Sequence, residues 1–202
     1  MSTRISRIPA APPQVEPLRA EPITDAELVR RALEGDRWAE GAIYRRYAPL
    51  VANLAGRLLA RHADAMDVLQ DVFVGALGEL GALRDPNALR PWLLRRTVRQ
   101  VHRVFRRRRL RRVLGLDRGE IDLPLDALAD PSASPETHAE LARIARVLAT
   151  LSDRQRIAWV LHRVEGETLP AVADACGVSL ATVKREIAAA QLTLEAHARR
   201  SR

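Results

Sequence analysis

Arginine is concentrated in one stretch of the chain, where its chemistry is that of phosphate binding. Ten arginines lie between Arg95 and Arg112, and no acidic residue interrupts them. Guanidinium groups form paired hydrogen bonds with phosphate oxygens, and a dense cationic surface attracts polyanions. The stretch therefore indicates a nucleic-acid partner, with a solvated arginine face as the alternative.

Residues 169–187, LPAVADACGVSLATVKREI, have the pattern of a helix-turn-helix. Ala173 is a small residue where two crossing helices approach, and Gly177 supplies the turn, where glycine adopts a positive φ most easily. The second helix of such a motif enters the major groove of DNA. A plain helical hairpin with a basic end is the alternative. The start of the second helix carries groups that can reach phosphates and base edges, namely Ser179, Thr182, Lys184 and Arg185.

Polar side chains crowd one side of a helix that the sequence predicts over residues 64–80. The opposite side is a wide apolar stripe. Carboxylates at i, i+3 and i+7 share a face and repel each other weakly, so we interpret this face as the contact surface for a basic partner. A favourable charge effect at the helix N-terminus is the alternative. The residues of this face are Asp64, Asp67, Gln70 and Asp71.

The other residues with reactive side chains do not form the pattern of an active site. The histidines are dispersed, and no pair has the spacing of metal ligands on one helix. The single cysteine, Cys176, falls on a side of its helix that is predicted to be buried, and no glycine-rich phosphate loop occurs. We therefore predict a non-enzymatic protein with no catalytic residue, no cofactor and no metal site.

The composition favours a folded protein without a membrane segment. Of the 202 residues, 47% are hydrophobic and 29% are charged, with a net charge of +8, a balance that excludes wholesale disorder. The longest stretch without a charge or histidine, residues 47–56, is about half of a bilayer span. No apolar region follows Arg4 and Arg7, as a secretion signal would require. We expect a cytoplasmic location.

The hydrophobic periodicity predicts helices and no strands. In the first part of the chain, we expect helices from Thr24, from about Trp38 to Ala60, over residues 64–80, and from Ala88 or Trp92. Pro49 predicts a kink or an interruption in the second of them. Later helices are expected from Ser134, from Ser152 through Val164, and, as two shorter ones, from Thr168 and from Ser179. The inner face of the helix from Ser134 is predicted to consist of Leu141, Ile144, Ala145 and Leu148.

This pattern predicts an all-α fold of two small helical domains. Residues 1–22 are rich in proline and are expected to form a disordered tail. Residues 23–112 and 135–202 are the two predicted domains. Residues 113–134 contain glycine, proline and serine among scattered acids, and we expect them to be a flexible acidic linker.

Four groups of motifs, in sequence order, resemble an extracytoplasmic-function (ECF, group IV) sigma factor of the sigma-70 family. DAELV at residues 25–29, LEGD at 33–36 and YRRY at 44–47 are similar to the start of region 2. DAMDVLQDVF at 64–73 resembles the segment that docks on the clamp helices of RNA polymerase. PWLL at 91–94 and the arginine run resemble the helix that recognises and melts the promoter. Residues 151–192, with LSDRQR, VEG and SLATVKRE, resemble region 4, so the likeness covers residues 24 to about 196.

The resemblance implies an alternative sigma factor that binds core RNA polymerase, recognises and helps melt promoter DNA, and directs transcription initiation. Core polymerase would be contacted at its clamp helices, by Asp64, Asp67, Gln70 and Asp71, and at its flap. The minus-thirty-five element would be contacted by Ser179, Thr182, Lys184 and Arg185. An anti-sigma protein is a further candidate partner. The minus-ten element, as duplex and as opened single strand, would be contacted by Arg84, Asn87, Trp92, Arg95, Arg96, Arg99, Arg103 and Arg106.

Three features depart from the family pattern. Arg99 and Arg103 stand where most members carry Asn and Asp, so the family's minus-ten base preference is not carried over. Met66 replaces a usual acid in the clamp-docking segment. Residues 188–191, AAAQ, replace a basic stretch after the recognition helix, which predicts weaker or altered binding of the minus-thirty-five element.

The main alternative is an autonomous helix-turn-helix regulator that binds operators without being a polymerase subunit. It would account for the helix-turn-helix and the arginines, but not for the polar face at residues 64–71 or for an acidic tether. The two functions differ in solution behaviour. A sigma factor is expected to be monomeric alone and to bind promoter DNA well only together with core polymerase.

Overall fold

The computed structural model describes residues 23–115, here called the first half, and residues 134–200, the second half. The described residues contain helices and no strand, in agreement with the predicted all-α class. The predicted tail at residues 1–22 and nearly all of the predicted linker lie outside the described residues. The helices are α1 Asp25–Leu33, α2 Arg37–Leu59, α3 His62–Gly78, α4 Leu89–Val113, α5 Pro135–Ala149, α6 Asp153–Arg163, α7 Leu169–Cys176 and α8 Leu180–Arg200.

The starts of α1 and α2 are fixed by side-chain caps. The Thr24 hydroxyl accepts a hydrogen bond from the Glu27 amide at 3.2 Å, as the predicted capping box requires. The Glu27 carboxylate instead accepts from Arg30, so only one bond of the reciprocal box is made. One Asp36 carboxylate oxygen accepts from the Trp38 amide at 2.9 Å and caps α2. These caps satisfy amide groups that have no partner within the first turn of a helix.

Pro49 predicted a kink or an interruption, and helix α2 runs through Pro49 without a break, so the interruption does not occur. Proline inside a helix removes one backbone hydrogen bond and destabilises the helix by about 3 kcal/mol. Buried side chains on both sides of the proline, Tyr47 and Val51, anchor the helix in the core. Packing of this amphipathic face outweighs the local preference, which is the usual source of helical stability in proteins.

Helices α3 and α4 pack their apolar faces against α2 and leave their polar faces outside. Val68 and Val72 of α3 and Leu93 and Val101 of α4 are almost completely buried in the shared core. Two short 3-10 turns, Leu80–Ala82 and Pro86–Ala88, connect the two helices. In the described residues, no helix combines the length and apolarity that crossing a bilayer would need.

The second half forms around the predicted capping box at the start of α6. The Ser152 hydroxyl accepts from the Gln155 amide at 3.3 Å, and the Gln155 side chain accepts from the Ser152 amide at 3.1 Å. The inner face of α5 is narrower than predicted, because Ala145 and Leu148 are buried whereas Ile144 is 48% exposed. The side chain of Leu141 lies outside the described set.

Two helix ends differ from the predictions. Helix α6 ends at Arg163, and Val164 is exposed instead of continuing its apolar side. Helix α8 is not short: it has 21 residues. Its length follows from an apolar stripe beyond the recognition segment, in which Ile187 and Ala190 are buried against α6. Within the sequence AAAQ, Ala190 is buried and Gln191 accepts a hydrogen bond from the Trp159 indole at 3.2 Å, whereas Ala188 is exposed.

The two halves lie against each other, and their buried residues form one continuous apolar cluster. Helix α7 packs across α4, and α6 packs on α2. Arg156 of α6 is 8% exposed and donates a hydrogen bond to the Leu58 carbonyl at the end of α2, at 2.9 Å. The two predicted domains therefore pack against each other in this structure.

Candidate protein and nucleic-acid interfaces

Helix α3 presents three of the four predicted docking residues to solvent. Asp67, Gln70 and Asp71 are exposed. Directly behind them, Val68 and Val72 are at most 1% exposed. The face is thus polar on a rigid apolar support, an arrangement that suits docking on a partner. Among residues 23–115 and 134–200, neither Asp67 nor Asp71 forms a salt bridge.

The fourth predicted docking residue, Asp64, is used inside the protein. Its carboxylate forms salt bridges with Arg107 at 3.3 Å and with Arg108 at 2.5 Å, and its side chain is only 16% exposed. Arg108 also donates to the Leu59 carbonyl at 2.8 Å. Asp64 therefore joins the start of α3 to the end of α4. Sequence patterns could not predict this pairing, because the partners are more than 40 residues apart.

The different surroundings of Asp64 and Asp67 predict different effects on stability. Asp64→Ala removes a partly buried carboxylate from two arginines, and we expect the free energy of unfolding to fall by about 1–2 kcal/mol. Asp67→Ala, three residues along the same helix, should change it by less than about 0.5 kcal/mol. Urea denaturation followed by circular dichroism measures both values. Equal stabilities for the two variants would contradict the internal role of Asp64.

Apolar side chains border the exposed acids on α3 and form a patch that the sequence did not predict. Met66 and Val74 are 42% and 69% exposed, and Tyr44 of α2 is 43% exposed. The Tyr44 ring contacts Phe73 edge to face, with centroids 4.8 Å apart. These residues line a shallow groove together with Asp67 and Gln70. An exposed apolar patch rimmed by polar groups is typical of a protein-binding surface.

The exposed side of α4 carries arginines that are open to solvent. Arg99, Arg103 and Arg106 point outward. Arg99 and Arg103 line a groove between α3 and α4, whose wall includes Asp71. These guanidinium groups lie along one helix face, which can follow a phosphate backbone.

Trp92 is not part of this exposed surface, since it is 8% exposed. The Arg96 guanidinium lies over its ring, 4.8 Å from the centroid, and forms a salt bridge with Glu79 at 2.8 Å. The Arg96 hydrogen bond and charge lower the pKa of Glu79. A Cβ added at Gly75 would lie 2.5 Å from an Arg96 nitrogen. Trp92 and Arg96 thus pack beneath the exposed arginines of α4.

The loop before α4 carries two predicted DNA contacts, one of which is held in place by hydrogen bonds. Arg84 and Asn87 are exposed. One Asp85 carboxylate oxygen accepts from the Asn87 amide at 2.9 Å and from its side chain at 3.2 Å. Asp85 thereby caps the 3-10 segment Pro86–Ala88, which contains Asn87.

The helix-turn-helix has the predicted geometry. Gly177 ends α7 with a φ of +65°, in the left-handed region that glycine adopts without strain. The Ser179 hydroxyl accepts from the Thr182 amide at 3.2 Å and caps α8. Lys184 and Arg185 are exposed on the first turns of that helix. Burial raises the pKa of the Cys176 thiol to about 11, as expected for a packed cysteine.

Two family models match this chain, one in its first half and one in its second half. The model of Sigma-70 region 2 matches residues 43–111, and that of Sigma-70 region 4 matches residues 141–194. RNA polymerase sigma factor NccH of Alcaligenes xylosoxydans xylosoxydans is 30% identical over 87% of this chain and 95% of its own length. ECF RNA polymerase sigma factor SigM of Mycobacterium tuberculosis (strain H37Rv) is 31% identical, over 85% of this chain and 83% of its own length.

Solved structures give the same result for the fold. The structure of CnrH in complex with the cytosolic domain of CnrY superposes with a TM-score of 0.65 at 27% identity, covering 88% of this chain and 99% of CnrH. The sigma factor RpoE in complex with the anti-sigma factor NepR, from Bartonella quintana, has a TM-score of 0.60 at 21% identity, covering 77% and 93%. The chain belongs to the sigma-70 family and is an ECF RNA polymerase sigma factor.

Proposed function

We propose that core RNA polymerase docks on the exposed part of α3, through Asp67, Gln70 and Asp71 and the apolar patch beside them. The chain is an alternative sigma factor that directs transcription initiation. The observation that carries the docking assignment is a polar face on a fully packed apolar back, bordered by exposed Met66 and Val74. A carboxylate pair open to solvent suits a basic partner surface, and exposed apolar groups gain free energy when a partner covers them. Asp64 stabilises the fold of this surface.

For the minus-ten element, we propose that the predicted residues have different roles. Arg99, Arg103 and Arg106 bind phosphates along α4. The loop with Arg84 and Asn87 contacts the opened strand, since its exposed polar groups can bond to unpaired bases. The supporting role belongs to Trp92 and Arg96, which lie beneath this surface.

For the minus-thirty-five element, we propose that the start of α8 enters the major groove. Lys184 and Arg185 are exposed there, and the Ser179 hydroxyl and Thr182 lie at the N-terminal end of the helix. The helix dipole favours a phosphate at this end. The second half then contacts duplex DNA while the first half contacts the opened region.

The partners that we propose follow from the family. An anti-sigma protein is proposed as a regulator, because the solved relatives CnrH and RpoE are described in complexes with CnrY and NepR. We also propose that the chain acts in the cytoplasm, where RNA polymerase is found. Sigma factors are regulatory subunits, and we propose that this chain has no catalytic activity of its own.

Run-off transcription with purified core polymerase tests the proposed function. We expect promoter-dependent transcripts with the full chain, and weak, salt-sensitive binding of promoter DNA by the chain alone. The physical reason is that the DNA-binding surface is divided between two halves, so neither alone buries a large interface. Nanomolar, sequence-specific binding without polymerase in a gel-shift assay would favour the autonomous regulator.

A further inference from the structure

Four basic side chains converge on one cavity between α4 and the start of α6. The cavity has a volume of about 430 Å³, which lies within the range of small-molecule sites, about 300–1,000 Å³. One of its walls belongs to the first half and the other to the second half. The basic residues that line it are His102, Arg106 and Arg109 of α4 and Arg154 of α6.

A single carboxylate offsets these charges among the residues that line the cavity. Asp153 forms a salt bridge with Arg109 at 3.2 Å. Arg106 and Arg154 are exposed, and in the described part of the chain neither of them forms a salt bridge or a side-chain hydrogen bond. Two guanidinium groups at one cavity without an acidic partner repel each other, so the cavity carries an excess of positive charge. An anion that enters it meets unused hydrogen-bond donors.

The half-buried His102 imidazole lies close enough to two of these arginines to be affected by their charges. Burial lowers the pKa of His102, whereas the Asp153 carboxylate raises it. The charges of Arg106 and Arg154 lower it further, and the net direction is downward. Arg106 and Arg154 therefore approach the same point from the two walls. An anion held between them favours the protonated imidazole and raises this pKa.

Contacts between the two halves hold the walls of the cavity in position. Arg57 of α2 forms a salt bridge with Glu165, whose side chain is only 9% exposed. The Arg156 guanidinium of α6 lies 5.4 Å from the ring centroid of Phe105, which forms an apolar part of the cavity wall. The backbone that carries the basic side chains is thus positioned before a ligand binds, and this lowers the entropic cost of binding.

The chemistry of the cavity favours a phosphorylated ligand. Each guanidinium offers two parallel donors that match two oxygens of a phosphate group. The three arginines against the single carboxylate leave an excess of two positive charges, and protonation of His102 adds a third. One phosphate monoester carries a charge of about −1.5 to −2 at pH 7. Two linked phosphates therefore match the charge of the cavity better than one.

We propose that this cavity, here called the α4–α6 site, binds a small ligand with two linked phosphate groups. Arg106 and Arg154 bind its oxygens from the two walls, and His102 supplies a further donor once it is protonated. The site goes beyond the proposed function, since it takes a small molecule and includes α6, which has no proposed role in promoter binding. Arg106 is also proposed to bind promoter phosphates, so the test has to separate a small ligand from DNA.

Isothermal titration calorimetry of the 202-residue chain with inorganic pyrophosphate, in buffer without divalent metal ions, tests the α4–α6 site. The variant is Arg154→Gln, which removes one charge from an exposed position and leaves the buried side of α6 unaltered. Arg163→Gln is the matched control, since it removes the same charge from an exposed position at the other end of α6. The two positions are roughly 13 Å apart along the helix axis.

We expect the wild type and Arg163→Gln to bind about one pyrophosphate per chain with equal affinity. The affinity of Arg154→Gln should be on the order of tenfold lower, because a hydrogen bond between charged groups is lost. Equal affinity of the two variants would mean that pyrophosphate is attracted only by the overall charge, and it would overturn the proposal. Absence of saturable binding to the wild type would overturn it as well.

The His102 imidazole gives a second measurement at the site itself. Its nuclear magnetic resonance signal, identified by its loss in His102→Gln, should titrate at a higher pH when pyrophosphate is present. The reason is that a bound anion stabilises the imidazolium ion. This increase should be smaller in Arg154→Gln than in Arg163→Gln. An unchanged His102 titration at saturating pyrophosphate would place the ligand elsewhere and overturn the proposal.

A labelled DNA duplex of random sequence separates the small ligand from a polynucleotide. We expect Arg154→Gln and Arg163→Gln to bind the duplex equally well, because α6 is not part of the proposed DNA-binding surface. A selective loss of duplex binding in Arg154→Gln, equal to its loss of pyrophosphate binding, would mean that the cavity takes phosphates of the DNA backbone. That result would overturn the assignment to a small ligand.

Discussion

Asp67→Arg combined with Asp71→Arg is expected to abolish association with core RNA polymerase. Both side chains are exposed, and among the described residues neither forms a salt bridge. Arginines at these positions would face a basic partner surface, and juxtaposed like charges at an interface cost several kcal/mol. A loss of about 3 kcal/mol corresponds to a decrease in affinity of more than a hundredfold. Co-elution with core enzyme in size-exclusion chromatography measures this effect.

Two controls show whether a loss of co-elution reflects lost docking instead of lost folding or a change in net charge. Helicity and thermal unfolding should stay nearly unchanged, because the buried back of α3 is not altered. Glu34→Arg with Glu195→Arg changes the net charge by the same amount at exposed positions, one directly after α1 and one on α8, and it should still co-elute. Retained co-elution of the Asp67 and Asp71 variant would refute the docking role of α3.

Substitution of Lys184 or Arg185 by alanine is expected to weaken recognition of the upstream promoter element. A side chain that contacts a base edge in the major groove contributes about 1–3 kcal/mol of discrimination. Both residues are exposed at the start of α8, so neither substitution should alter the unfolding midpoint. Transcription by the reconstituted holoenzyme from promoters with single base changes in this element measures the effect.

The salt dependence separates the two kinds of DNA contact. Loss of a base contact weakens the correct promoter more than its variants. Loss of a phosphate contact weakens all sequences alike and lowers the slope of log affinity against log salt by about one. Ala181 is exposed on the same first turns of the helix, and Ala181→Ser serves as a control for substitution at this site. Unchanged transcription from both single variants and from the double variant would contradict the assignment of α8 as the recognition helix.

The sequence predicted those parts of the structure that depend on neighbouring residues. The capping box of Ser152 and Gln155, the turn at Gly177 and the cap at Ser179 all follow from side chains within three or four residues of each other. Such local signals determine where a helix starts and stops. The apolar period of α3 likewise predicted which of its sides is buried and hence that Asp67 and Asp71 are exposed.

The features that the sequence did not predict depend on contacts between distant residues. Asp64 and Asp67 are the same residue type on the same face of the helix pattern. They differ only because Arg107 and Arg108, near the end of α4, form salt bridges with Asp64. In the same way, Glu165 and Arg57 are 108 residues apart. The apolar period of a helix predicts which of its sides is buried but not which helix packs against that side. The packing of the two halves against each other is therefore seen only in the three-dimensional structure.

The contact between Gly75 and Arg96 links two positions that protein engineers would otherwise vary separately. Any side chain at position 75 meets the Arg96 guanidinium, which Trp92 and Glu79 hold in place. A larger residue at position 75 therefore requires the Arg96 guanidinium to move away from the Trp92 ring and from Glu79. The effect of a substitution at position 75 depends on the residue at position 96, so a library at this site should vary both codons together.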